Sequence, residues 1–169
     1  MTSWHDSAIT CVGELGGSRS PTFVLDVQGG SSQPGAAIII NTASLGNGQL
    51  WNSDQFPAPH YKGAYTIYNH AGGSAWGFLN VPDLPAGQGR GAQLFQQGLQ
   101  ETDNFVKDTF LWDVVSAGSD SHGTHYKIRN RHSGLLLTRQ GNSFHAGALV
   151  IQDTDHGGVN QLWYMGVVR

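Results

Sequence analysis

GGVNQLWYM, at Gly157–Met165, has a near copy of its centre far upstream: GNGQLW, at Gly46–Trp51. Trp51 and Trp163 stand 112 residues apart. Periodicity at this length decides a fold before local propensity does. Three further segments show that a third copy exists. GAAIIIN (Gly35–Asn41), GAQLFQQ (Gly91–Gln97) and GALVIQD (Gly147–Asp153) share a Gly-Ala followed by apolar residues, at two intervals of 56. The two tryptophans are two such intervals apart, so a middle one belongs near position 107. Trp112, in DTFLW (Asp108–Trp112), lies five residues later. The middle unit therefore carries a short insertion between Gly98 and Asp108, and Phe110 stands where the other units have Gln.

The unit starts agree less closely. AYTIYNHAGG (Ala64–Gly73) parallels HYKIRNRHSG (His125–Gly134), and in the first unit Ile9, Cys11, Gly13 and Gly17 occupy the same offsets. A strand-like stretch follows in each: FVLDV (Phe23–Val27), GFLNV (Gly77–Val81) and LLLTR (Leu135–Arg139). Each unit reads as about four strands joined by Gly-rich turns. Gly, at 24 of 169 residues, is about twice its usual share of roughly 7%, and charged residues, at 12%, are about half of theirs, which favours short strands over helices. A single unit cannot bury its apolar face, so three must close on one another. The expectation is an all-β protein, a β-trefoil of three pseudo-repeats over 3–168, with units at roughly 3–58, 59–119 and 120–168.

LDV, GG, GA, I and QLW in the first unit, and SGLLL, GNS, GA, V and NQLW in the third, resemble the ricin-type β-trefoil lectin repeat over nearly the whole chain. MTSWHDSAITCVGELGG lacks the basic and apolar run of a signal peptide, and the one cysteine, Cys11, reads as a small core residue. The chain thus looks more like intracellular fungal fruiting-body members, with a cytoplasmic location expected. The resemblance implies a non-catalytic lectin whose partners are glycans or glycoproteins of galactose or N-acetylgalactosamine type. In that family each unit can hold a shallow sugar site. An Asp after a strand accepts from sugar hydroxyls, an aromatic fifteen positions later stacks on the ring, and an Asn or Gln near QxW adds a polar contact.

Carried over residue by residue, the pattern is uneven. Unit one has Asp26, then Asn41 at the stacking position, then Gly48–Gln49. Unit two has Asn80, Gln97 and Thr109–Phe110; unit three has Thr138, Asp153 and an intact Asn160–Gln161. The stacking aromatic is absent from all three expected positions. The resemblance favours a site on unit one, from Asp26, Asn41, Asn47 and Gln49. Unit three is second, from Asn160 and Gln161 with His145 of the GNSFHAG turn. Trp76 and Phe144 lie in or near turns, as replacement platforms or as core. Gln49 and Gln161 can instead tie down their own turns, and Asp26 can serve turn N–H groups in the following QGGSS.

Other chemistries find little support. A net charge of −3 offers no basic face for nucleic acid, and no apolar run is long enough to span a membrane. HGTH (His122–His125) lacks companion ligands, GQGRG (Gly87–Gly91) lacks the Lys of a phosphate loop, and no nucleophile elbow occurs. No metal, cofactor or catalytic residue is expected. A rival role is protease inhibition through PDLPAGQGRG (Pro82–Gly91), with Arg90 as anchor, or LQETDNFVKD (Leu99–Asp108), with Lys107. A third is a trefoil partner subunit that has lost sugar binding. Weak single sites would make several sites per chain, or a homodimer, useful through avidity.

Overall fold

The computed structural model describes residues 4–13, 22–56, 61–71, 77–85, 88–102 and 105–166. Its strands fall into three successive groups. The first is β1 (Ala8–Cys11), β2 (Phe23–Val27), β3 (Ile38–Thr42) and β4 (Trp51–Gln55). The second is β5 (Tyr65–Asn69), β6 (Phe78–Asn80) and β7 (Phe95–Gln97), a small hairpin of β8 (Glu101–Thr102) and β9 (Phe105–Val106), and then β10 (Trp112–Asp120). The third is β11 (Gly123–Asn130), β12 (Leu136–Arg139), β13 (Val150–Asp153) and β14 (Trp163–Gly166). Helical backbone among the described residues is limited to 3-10 turns of three residues.

The outer strands of the three groups form a ring. Cys11 of β1 lies opposite Trp163 of β14, Tyr126 of β11 opposite Trp163, and Trp112 of β10 opposite Asn130 of β11. Trp112 also faces Tyr65 of β5, and Asn69 of β5 faces Trp51 of β4. A bridge between Ser7 and Trp51 closes the circle, with the Ser7 N–H donating to the Trp51 carbonyl at 3.0 Å and the reverse bond at 2.9 Å. Closure leaves the ring without an open edge, which an isolated sheet would expose to another chain.

The inner strands make three hairpins, β2–β3, β6–β7 and β12–β13, that cap one end of the ring. The repeated Gly-Ala joins them to one another. Gly35, Gly91 and Gly147 donate their N–H to the carbonyls of Gln96, Gln152 and Ile40 in a neighbouring hairpin, at 2.7, 2.8 and 2.9 Å. Those residues return the bond to Ala36, Ala92 and Ala148 at 2.9, 2.9 and 2.8 Å. The three glycines have φ of +84°, +80° and +86°, a region costly to any residue with a Cβ. The interval of 56 thus marks a backbone joint used three times.

Trp51, Trp112 and Trp163 are buried to within 1% of their surface, and their indole N–H groups donate to the carbonyls of Leu25, Leu79 and Leu137 at 3.1, 3.2 and 3.1 Å. Around them pack Ile9, Cys11, Ile38, Ile67, Leu94, Ile128 and Val150. Three equivalent hairpins on a closed six-stranded ring make the architecture a β-trefoil. The extra residues of the middle unit appear as the β8–β9 hairpin. It covers a second small core of Ala64, Val106, Phe110 and Leu111.

Candidate functional site

Unit one brings its predicted residues into one hydrogen-bonded group. Asp26, near the end of β2, is only 7% exposed. Its Oδ2 accepts from Asn41 Nδ2 and from Gln49 Nε2, both at 3.0 Å. Gln49 is wholly engaged: Nε2 also donates to the Thr42 carbonyl at 3.0 Å, and Oε1 accepts the N–H groups of Ser44 and Leu45 at 2.7 and 3.0 Å. The glutamine therefore pins the chain leaving β3 and aims the carboxylate. Asp26 Oδ1 accepts no hydrogen bond among the described residues. It lies against Gly48, where a Cβ would come within 2.7 Å of it. Asn47, on the same turn, is exposed, and its carbonyl accepts the His70 N–H at 3.1 Å. Asn41 at the stacking position is a half-buried amide whose Oδ1 accepts the Thr42 N–H at 2.9 Å, so it extends the polar group.

Unit three is tied up internally. Gln161 Nε2 donates to Thr138 Oγ1 at 3.1 Å and to the Thr154 carbonyl at 2.7 Å, and its Oε1 accepts the His156 N–H at 3.0 Å. Asn160 Nδ2 donates to the Arg139 carbonyl at 3.1 Å. Asp153 Oδ1 accepts from Arg90 Nε at 2.6 Å. His145 is exposed on the β12–β13 turn, bonded through Nδ1 to Ser143, with no hydrogen bond to Asn160 or Gln161. Phe144 has the Arg139 guanidinium 3.4 Å from its ring centroid and Phe23 6.3 Å away, so packing claims its surface. Trp76 lies outside the described residues.

Unit two breaks the pattern. Phe110, fully buried, replaces the glutamine and offers no donor. Asn80, in the position of Asp26, is 6% exposed, and its Oδ1 has no partner among the described residues. Beside it a cleft of roughly 190 Å³ is walled by Phe95, Gln97 and Thr109, and by Lys107 and Asp83, which pair at 2.6 Å.

Residues 108–169 match the model of a family described as ricin-type beta-trefoil lectin domain-like. No curated protein matches the chain. Among solved structures, the designed three-fold symmetric protein ThreeFoil is 25% identical, with a TM-score of 0.72 over 96% of this chain and 99% of its own. The chain is a β-trefoil, and its residues 108–169 resemble the ricin-type lectin-like domain. The chain also resembles an exo-β-1,3-galactanase of Clostridium thermocellum, at 26% identity and TM-score 0.69, over 86% of this chain but only 28% of that enzyme. The Macrolepiota procera ricin B-like lectin, solved in complex with lactose, shares the fold at 18% identity and TM-score 0.64, with 96% and 95% of the two chains covered.

Of the two basic loop residues, Arg90 is paired with Asp153 of β13 and Lys107 with Asp83 of the other loop, each at 2.6 Å. No group of three or more His, Cys, Asp or Glu among the described residues is placed to hold a metal, and no helix there is long and apolar enough to cross a membrane. Sequence reasoning missed two features. One is the contact of Gly48 with Asp26 Oδ1, which spacing does not reveal. The other is the pair Tyr61 and Phe105, brought together by the inserted hairpin, whose signal was the displaced Trp112.

Proposed function

We propose that the protein is a non-catalytic carbohydrate-binding protein, one trefoil domain over 3–168, whose principal site lies on unit one. The observation that carries this reading is the division of labour at Asp26. One carboxylate oxygen is held by two side-chain amides, while the other, beside Gly48, takes no donor among the described residues. A carboxylate held this way is a preformed acceptor for sugar hydroxyls, with Asn41 and exposed Asn47 supplying amides at its border. The lectins among the solved relatives support the class: that of Macrolepiota procera is bound to lactose and the C-half of an earthworm R-type lectin to GalNAc. We take galactose-type glycans as the ligands on that basis. Amides in place of a stacking ring imply a weak single site, so glycoproteins with several termini, or a homodimer, would raise binding through avidity.

A glycan array with the wild-type protein tests the class, and absence of signal on it overturns the reading. Titration of lactose and N-acetylgalactosamine then tests the site. Asp26→Asn keeps the side-chain shape but removes the charge, and is expected to weaken binding about tenfold or more, the scale of a charged hydrogen bond. Unchanged affinity would move the site off unit one. Because Arg90 and Lys107 are ion-paired, trypsin and papain are expected to remain uninhibited.

A further inference from the structure

A second cleft, of roughly 670 Å³, opens beside the inserted hairpin, and none of Asp26, Asn80 and Thr138 lines it. Its aromatic wall is Tyr61, packed on Phe56 at 4.7 Å, and Phe105, which meets Tyr61 edge-on at 6.4 Å and is 48% exposed. Its charged wall centres on Arg131. The Nε and Nη2 groups donate to Asp113 Oδ1 at 2.8 and 2.7 Å, Nη1 donates to the Tyr61 carbonyl, and Nη2 also donates to the Lys62 carbonyl at 3.2 Å. Arg131 is therefore neutralised and held still. Lys62 and Arg129, which also line the cleft, are exposed and form no ion pair among the described residues. Asp155, whose carboxylate feels Arg129, is itself held by Lys127 at 2.8 Å. Asp108 adds one exposed carboxylate. In a chain of net charge −3 this is a locally cationic cleft with an exposed ring.

We propose that this cleft binds a saccharide bearing a carboxylate. Arg129 and Lys62 receive the carboxylate; a guanidinium offers it two parallel donors. Phe105 and Tyr61 present an apolar surface to one face of the sugar ring, and Asp108 accepts from ring hydroxyls. The volume lies within the range of small-ligand sites. The saccharide class rests on the carbohydrate-binding reading above; the cleft, its rings and its exposed cations stand without it. The aromatic platform that the unit positions lack is supplied here by an insertion.

The test is calorimetric titration of the full chain with methyl glucuronoside, N-acetylneuraminic acid and neutral methyl glucoside. The first two separate a uronate from a sialic-acid preference. At least one acidic sugar is expected to bind about tenfold or more above the neutral one, the scale of a charged hydrogen bond, and to weaken as salt rises. Arg129→Gln should remove that preference, and Phe105→Ala should lower affinity for acidic and neutral sugars alike. Both residues are exposed, and a thermal melt confirms that the variants fold. Asp26→Asn should leave acidic-sugar binding intact, which separates this site from unit one. Equal affinity for acidic and neutral sugars, loss of acidic-sugar binding in Asp26→Asn, or full competition by inorganic sulfate would each overturn the proposal.

Discussion

Gln49 and Gln161 each satisfy three or more buried or backbone polar groups with one side-chain amide. Each lies five residues beyond the first N–H that its Oε1 accepts, Ser44 or His156. Each reaches back 23 residues to the position after the β2 or β12 leucine, Asp26 or Thr138. This is why Gln recurs before the core tryptophan: a buried amide left unpaired costs about 1–3 kcal/mol. Unit two shows the consequence of losing it, since with Phe110 in its place Asn80 Oδ1 has no donor among the described residues. Gln161→Ala is therefore expected to destabilise the fold by about 1–3 kcal/mol. Asn80→Ala, which deletes an already unpaired group, should be near neutral. Denaturant midpoints of the two variants decide the matter. A loss in Asn80→Ala equal to that in Gln161→Ala would show that Asn80 is bonded after all.

At the scale of elements, the long β10–β11 hairpin is tied to the last strand through Asp120 and Tyr164. Burial first, and then the hydrogen bond to Asp120 and its charge, push the Tyr164 phenol up to about 12 from 10.0. The Tyr164 hydroxyl, and then the His122 N–H, hold the Asp120 carboxyl below its usual range, with His125 and His122 adding favourable charge. The signs follow by linkage. The raised phenol contributes stability that is complete below pH 10 and disappears as pH rises through about 12, because the unfolded chain ionises first. The depressed carboxyl contributes stability above its ordinary pKa that is lost as pH falls through its lowered value. Phenolate absorbance should thus show one tyrosine titrating near 12 that is missing from Tyr164→Phe. The variant's unfolding midpoint should fall less than wild type's above pH 10. If the two midpoints track each other, the contact does not hold the hairpin. The sequence made the β10 and β11 starts legible through Trp112 and the Tyr–Ile–Asn pattern of Tyr126, Ile128 and Asn130. It did not show that His122 and His125 gather on Asp120, since that depends on hairpin twist. The β8–β9 hairpin was legible only as a displaced tryptophan. What it covers, Val106 and Phe110 over Ala64, has no signature in spacing.

For the whole molecule, threefold order was readable because each unit must solve the same backbone problem. A Gly-Ala with positive φ is needed wherever one hairpin donates to the next, so the interval of 56 survives although side chains diverge around it. The candidate site obeys no such rule. Asp26 Oδ1 lies against Gly48, where units two and three carry Thr109 and Asn160, and Asn41 has Gln97 and Asp153 as its counterparts, so each unit makes its own choice. Because every joint links two units, a defect at one should loosen the entire trefoil. Gly147 has φ of +86° and open space where a Cβ would stand, so Gly147→Ala carries the backbone penalty alone, about 1–2 kcal/mol. Gly147→Asn should lose less, since Asn adopts this conformation more readily and keeps the N–H that bonds Ile40. Gly46, exposed and without a positive φ, is the control, and Gly46→Ala should be neutral or slightly stabilising. Pairing of β1 with β14 makes the first and last units share a core, so Gly147→Ala should shift one cooperative transition with its denaturant slope unchanged. A biphasic transition in that variant would mean that the units unfold separately. A loss no greater than that of Gly46→Ala would mean that the joint does not carry the threefold order.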